Sequence, residues 1–214
     1  MTDPPSPAEA TMLLKAAEKR SPDLAVFVWL VMVTGARRGE LCSLRWTDID
    51  AEQGDLLIER AYAVRQGSKV VKTTKTHQKR RLALDSGTLD QLAEHRERRT
   101  KRAESAGGEL VEDGYVFSRD GLGELPWFPD TVTKWVTAAA AQAGVDATIK
   151  SLRHYNATQM LTGGIDLQTA AARLGHSGGG HITLKVYAHR TRPSDQRAAE
   201  ILARGLRDAS DSED

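Results

Sequence analysis

Residues 21–44 read SPDLAVFVWLVMVTGARRGELCSL, and this stretch decides the fold class. Ser21-Pro22-Asp23 is a helix-start pattern: a capping hydroxyl, proline at the first helical position and an acid in the first turn. The body that follows, residues 24–33, is apolar at every position. Ten such residues are too few to span a bilayer, and a helix with no polar face belongs at the centre of a core. Gly35 breaks the run, and residues 36–44 read as a further short helix carrying Arg37, Arg38 and Glu40.

On the N-terminal side, Ser6-Pro7-Ala8-Glu9 opens a helix that runs to about residue 19. On the C-terminal side the period shortens. Leu56-Leu57-Ile58, Lys69-Val70-Val71 and Arg81-Leu82-Ala83-Leu84 are strand candidates, separated by Gly54 and Gln66-Gly67-Ser68. They predict a small antiparallel sheet with a long basic excursion, residues 72–80, between the last two strands. Helices are then expected over 86–102, 130–143, 151–161, 167–174 and 194–206, with Tyr115-Val116-Phe117 a short apolar segment. The fold class is therefore mainly α with a small antiparallel β-sheet (α+β), in one domain with frayed ends.

At 214 residues, 40% hydrophobic and 28% charged, the chain has the composition of a soluble globular protein with a real core. Its first ten residues contain no basic segment leading into an apolar one, so no secretory signal is read there. The single cysteine, Cys42, excludes an internal disulfide framework and cysteine-rich zinc sites, and agrees with a reducing compartment. A cytoplasmic location away from membranes is the expectation. The net charge of +1 hides an asymmetry: residues 60–104 carry 13 Lys and Arg against 5 acids, and residues 195–214 carry 3 against 6. A basic centre suits a polyanion, but a solvated helix face would have the same count, so charge leaves both open.

Four segments carry chemistry. They are Thr34-Gly35-Ala36-Arg37-Arg38-Gly39-Glu40-Leu41, Thr74-Lys75-Thr76, Lys150-Ser151-Leu152-Arg153-His154, and Leu174-Gly175-His176-Ser177 with Tyr187-Ala188-His189 after it. Together they supply what metal-free attack on a phosphodiester needs. Guanidinium forks grip two non-bridging oxygens and neutralise charge growing at phosphorus. A tyrosine hydroxyl can hold the phosphoryl group covalently, and a lysine or histidine of lowered pKa can protonate a leaving oxygen. Nothing in these segments resembles an acidic cluster for two divalent metals or a phosphate-cradling Gly-rich Lys-Ser/Thr loop, so no cofactor is expected.

In this order, and over roughly residues 8–192, the segments resemble the tyrosine recombinase, or phage integrase, family. Thr34 to Glu40 matches its Thr-Gly-x-Arg-x-x-Glu box and puts Arg37 at the catalytic arginine. Lys75 fits the family's hairpin lysine, with Lys72, Lys79 and Arg80 as neighbouring alternatives. Arg153 and His154 match the second box, where Lys150 stands in place of the usual histidine. His176 falls in the third box, and Tyr187 is the nucleophile. The loop between them, with Gly178-Gly179-Gly180, is about two residues longer than the commonest form.

The resemblance implies an N-terminal extension over 1–7, a catalytic domain over 8–192 and a C-terminal helix with an acidic tail over 193–214. The family's N-terminal core-binding domain is not recognisable. It also implies site-specific DNA recombination through a 3′-phosphotyrosyl intermediate. Arg37, Arg153 and His176 would stabilise the transition state, Lys75 would protonate the leaving 5′-oxygen, and Lys150 would assist. Arg38, Lys72, Lys79, Arg80 and Arg81, with the 86–102 helix, would contact backbone phosphates. Glu40 and His154 would be structural support. The implied partners are double-stranded DNA attachment sites, further copies of the chain in a tetramer, and accessory directionality factors. A type IB topoisomerase-like nicking-closing enzyme and a non-cutting DNA-binding accessory module are the rival readings.

Overall fold

The computed structural model describes residues 3–65, 68–73 and 79–175. Helix α1 (Pro7–Arg20) starts at a capping box: the Ser6 hydroxyl accepts from the Glu9 N–H at 3.3 Å, and the Glu9 carboxylate accepts from the Ser6 N–H at 2.8 Å. Pro5, just ahead of it, is buried, so packing begins before residue 8. Ala10, Leu13, Ala16 and Ala17 recur at helical spacing and are buried where α1 packs on α2 (Pro22–Thr34) and α5 (Pro129–Ala143).

Helix α2 is the central element that its sequence implies. Leu24, Val26, Phe27, Val28, Leu30, Val31 and Met32 are all buried, a distribution that surrounds the helix. It stops at Gly35, whose φ is +63°. A Cβ there would lie 2.6 Å from both Asn156 Oδ1 and Leu174 Cδ2, so glycine is needed for the turn and for the close approach of two later helices. Helix α3 (Arg38–Cys42) is shorter than the expected 36–44.

The β region departs from expectation. Strands β1 (Ile49–Asp50), β2 (Asp55–Ile58) and β5 (Arg80–Ala83) form one antiparallel sheet in the order β1-β2-β5. Strands β3 (Arg60–Arg65) and β4 (Ser68–Thr73) form a separate two-stranded ribbon. The 69–71 strand therefore pairs with residues 60–65 and not with the sheet. Strand β3 has arginine at each end and alanines alternating with Tyr62 and Val64 between, so its alternation has little polar–apolar contrast to read. In the sheet, Leu56 faces Leu82 and both are buried.

Helix α4 (Ser86–Ser105) is capped by Asp85, and its contacts with Trp29 and then Asp23 run antiparallel to α2. Trp29 donates to the Thr88 hydroxyl at 2.9 Å near its start, and His95 Nδ1 lies 3.2 Å from the Asp23 carboxylate further on. Helices α5, α6 (Ile149–Thr162) and α7 (Leu167–Leu174) complete the described residues, each within a turn of expectation. One core runs through them. Phe27 meets Phe117 edge-on at 5.0 Å, and Trp127 stands between Phe117 and Trp135 at 5.3 and 5.1 Å. Cys42 is fully buried, and burial pushes its thiol pKa up to about 12, so it is an inert packing residue. Among the described residues, no helix is long and apolar enough to cross a membrane.

Candidate active site

The C-terminal end of α2 is where α3, α6 and α7 meet, and a group of arginines gathers there around one carboxylate. Glu40, on α3, has only 1% of its side chain exposed. It accepts from the Arg37 main-chain N–H and the Arg37 Nη1, each at 2.8 Å. It also accepts from Arg80 Nη2 at 2.8 Å and Arg80 Nη1 at 3.2 Å. Burial alone would raise the Glu40 pKa, but hydrogen bonds and charge from Arg80, then Arg37, outweigh it and hold the carboxyl below its ordinary range.

The arginines are tied a second time, to main-chain carbonyls at the end of α7. Arg80 Nε donates to the Arg173 carbonyl at 2.9 Å, Arg153 donates to the Leu174 carbonyl, and Arg37 Nη2 donates to the Gly175 carbonyl at 2.9 Å. Three consecutive carbonyls thus take three different guanidiniums. The last carbonyls of a helix have no partner within it and carry the negative end of its dipole, so cations belong there. Arg153 also donates to the Gly35 carbonyl, which links the end of α2 to α6.

Of this cluster, Arg37 and Arg153 line a cleft of about 420 Å³ together with Arg38, Thr133 and Lys150. Arg38 donates to the Thr133 hydroxyl at 2.7 Å and lies 3.4 Å from the Asp130 carboxylate on the rim. Lys150 is exposed, one turn before the half-buried His154. Burial, then Lys150, then Arg153 lower the His154 pKa and favour its neutral form. Burial and the charges of Arg37 and Arg80 bring the Arg153 guanidinium down to about 10, against the pull of Glu40. It stays charged at neutral pH. Three crowded guanidiniums around a single carboxylate leave a desolvated excess of positive charge, which an entering oxyanion would relieve.

Other expected contacts are placed elsewhere. Lys79 is exposed and pairs with Glu59 at 2.9 Å, and Arg81 is exposed and pairs with Asp55 at 2.7 Å. Lys72 lies on β4 opposite Ala61. Lys75, His176, Tyr187, the glycine loop 178–180 and the 194–206 helix lie outside the described residues.

Two expectations meet a different geometry. Arg80, expected among the phosphate contacts, does not lie on the surface: its side chain is 8% exposed and donates to Glu40 and to the end of α7. Alternation on β5 puts Arg80 on the same face as buried Leu82 and sends Arg81 outward, and that signal was present in the sequence. Nor is the whole of α4 a solvated basic face. Arg99 falls on the buried stripe with Leu92, His95 and Ala103, and donates to the Ser118 hydroxyl at 2.6 Å. Sequence reasoning missed Thr133 and Asp130 beside Arg38. It also missed Arg173, which donates to the Ala83 carbonyl at 2.9 Å and ties α7 to β5.

Residues 6–193 match the phage integrase family. The chain belongs to that family. This phage integrase family member is 30% identical over 203 residues to the tyrosine recombinase XerC-like protein of Caldanaerobacter subterraneus subsp. tengcongensis, covering 88% of this chain and 51% of that protein. It is 30% identical over 209 residues to an integrase of Streptomyces ambofaciens, covering 91% and 51%. The chain thus spans about half the length of these curated relatives. Among solved structures, the fold is similar to the Tn1549 transposon integrase in complex with a circular intermediate DNA, with a TM-score of 0.76 at 19% identity over 92% of this chain and 65% of that one. It is also similar to the XerA recombinase, with a TM-score of 0.66 at 23% identity over 95% and 66%. The fold is thus shared with both of these solved structures.

Proposed function

We propose that this chain is the catalytic domain of a tyrosine site-specific recombinase, which cuts and rejoins DNA strands through a 3′-phosphotyrosyl intermediate. The observation that supports this most is the cleft in which Arg37 and Arg153, each tied to α7, face the same space as Lys150. Two fixed guanidinium forks are suited to the non-bridging oxygens of a phosphodiester, and they act where charge grows as phosphorus becomes five-coordinate.

In this reading the Tyr187 hydroxyl gives its proton to solvent as its oxygen attacks the scissile phosphorus. The bond to the 5′-oxygen breaks, and that oxygen takes a proton from Lys75 or a neighbouring lysine. His176 joins Arg37 and Arg153 in stabilising the transition state, and Lys150 assists in proton transfer or phosphate contact. A 5′-hydroxyl from a partner duplex reverses the step on a new strand. Each covalent step preserves one phosphodiester equivalent, so neither metal nor nucleotide is called for. Backbone contacts from Arg38, Lys72, Lys79 and Arg81 would hold the duplex, and further copies of the chain would complete a tetramer on attachment sites, with accessory factors setting direction.

The test uses nicked suicide duplexes from a randomised pool at low salt without metal, comparing wild type with Tyr187→Phe. Denaturant-resistant adducts that require Tyr187 and share a sequence are expected. Tyr187-dependent adducts with no shared sequence would instead indicate topoisomerase-like nicking and closing. Salt-sensitive DNA binding with no adduct would indicate a non-cutting module.

A further inference from the structure

We infer that Arg80 is a positioning residue for the Arg37–Arg153 pair, acting through Glu40 and the end of α7, and that it makes no DNA contact of its own. This rests on the recombinase reading only for its catalytic readout.

Arg80 binds both parts that hold the pair. On one side its two terminal nitrogens bracket the Glu40 carboxylate at 2.8 and 3.2 Å, and that same carboxylate holds Arg37 by its main chain and its guanidinium. On the other side its Nε fixes the Arg173 carbonyl, next to the two carbonyls that hold Arg153 and Arg37. The fit is tight. Gly175 has a φ of +64°, and a Cβ on it would stand 2.8 Å from Arg80 Nη1 and 3.0 Å from its Cζ. A glycine therefore lets the α7 turn close onto the guanidinium.

A planar fork is needed for this arrangement. Lysine offers a single ammonium, which cannot bracket two carboxylate oxygens and reach the Arg173 carbonyl in the same geometry. Losing the bracket frees Glu40 and the α7 end to shift by fractions of an ångström, and a misplacement of about 1 Å can cost on the order of a hundredfold in rate. Because the Arg80 guanidinium is buried and paired with Glu40, its loss should be felt little by the duplex.

The experiment measures Arg80→Lys, Arg80→Met and Glu40→Gln, singly and as Arg80→Met/Glu40→Gln, in the full chain. Duplex affinity is titrated across a range of salt, and adduct formation on the suicide duplex is timed at saturating DNA. Arg80→Lys and Arg80→Met are expected to slow adduct formation by roughly ten- to a hundredfold while affinity stays within about twofold. The double variant should be no slower than the worse single variant, because the two side chains act as one unit. The salt slope should be unchanged in Arg80→Met; a fall of about 0.9, the value of one lost phosphate contact, overturns the inference. It is equally overturned if the two substitutions multiply independently, or if Arg80→Met cuts at the wild-type rate. If wild type forms no adduct, the recombinase reading fails, and the salt slope still decides whether Arg80 touches DNA.

Discussion

At the scale of single residues, Glu40 is the most exposed to failure of its partners. It is a nearly fully buried carboxylate between two guanidiniums, and its charge is stabilised only as long as both remain. Glu40→Gln keeps the shape and removes the charge, leaving Arg37 and Arg80 crowded against each other and against Arg153. Breaking a buried pair in this way costs about 3–5 kcal/mol, so urea unfolding at pH 7 should show a loss of that order. The pH dependence follows from the direction of the shift. The folded Glu40 pKa lies below its ordinary value. Its stabilisation is therefore complete above the unfolded carboxyl pKa and is lost as pH falls through the lower, folded one. Wild type should lead Glu40→Gln fully at pH 7 and progressively less below about pH 4. Arg37, Arg153 and Glu40 were all legible from the Thr34–Glu40 and Lys150–His154 segments because residue type and spacing carried them. The inward turn of Arg80 is harder to read, because basic composition masks the period-two pattern that carries it.

At the scale of elements, two junctions decide how the helices are set. The first is the buried contact between α2 and α4, where Asp23 faces His95 and Arg99, whose side chains are 0% and 2% exposed. His95 Nε2 lies 2.9 Å from the Val116 carbonyl, so its ring is placed between two acceptors. Asp23→Asn removes the carboxylate that faces His95 and Arg99 and should destabilise by about 3–5 kcal/mol, read from the urea midpoint. The second junction is the end of α7. Gly175→Ala forces a side chain into left-handed backbone against Arg80, and a loss of about 1–3 kcal/mol is expected in thermal unfolding. Most helices could be placed from sequence because caps and apolar periods are local. The split of the β region could not, since the pairing of β3 with β4 depends on which strand meets which, and weakly patterned strands leave register and partner unspecified.

At the scale of the whole molecule, charge must be judged by where it lies. The net charge is only +1, so any strong attraction for DNA has to come from local distribution. Beside the basic segment around residues 69–81, two regions of the described residues compete for that role. One is the cleft at the C-terminal end of α2, with Arg37, Arg38, Lys150 and Arg153. The other is the second half of α4, with Arg96, Arg98, Lys101 and Arg102. Because α4 runs antiparallel to α2 and reaches Asp23 already at His95, its basic half lies at the opposite end of α2, about 17 Å of helix rise away. Part of that charge is also committed: Arg99 is buried, and Lys101 pairs with Glu97 at 2.6 Å. Each phosphate contact adds about 0.9 to the slope of log affinity against log salt. Arg38→Gln and Lys150→Gln should therefore each lower the slope measured on a short duplex by nearly one. Lys101→Gln and Arg102→Gln should leave it unchanged. A slope that responds instead to the α4 pair would move the duplex to the far end of α2 and leave the arginine cleft without its anion.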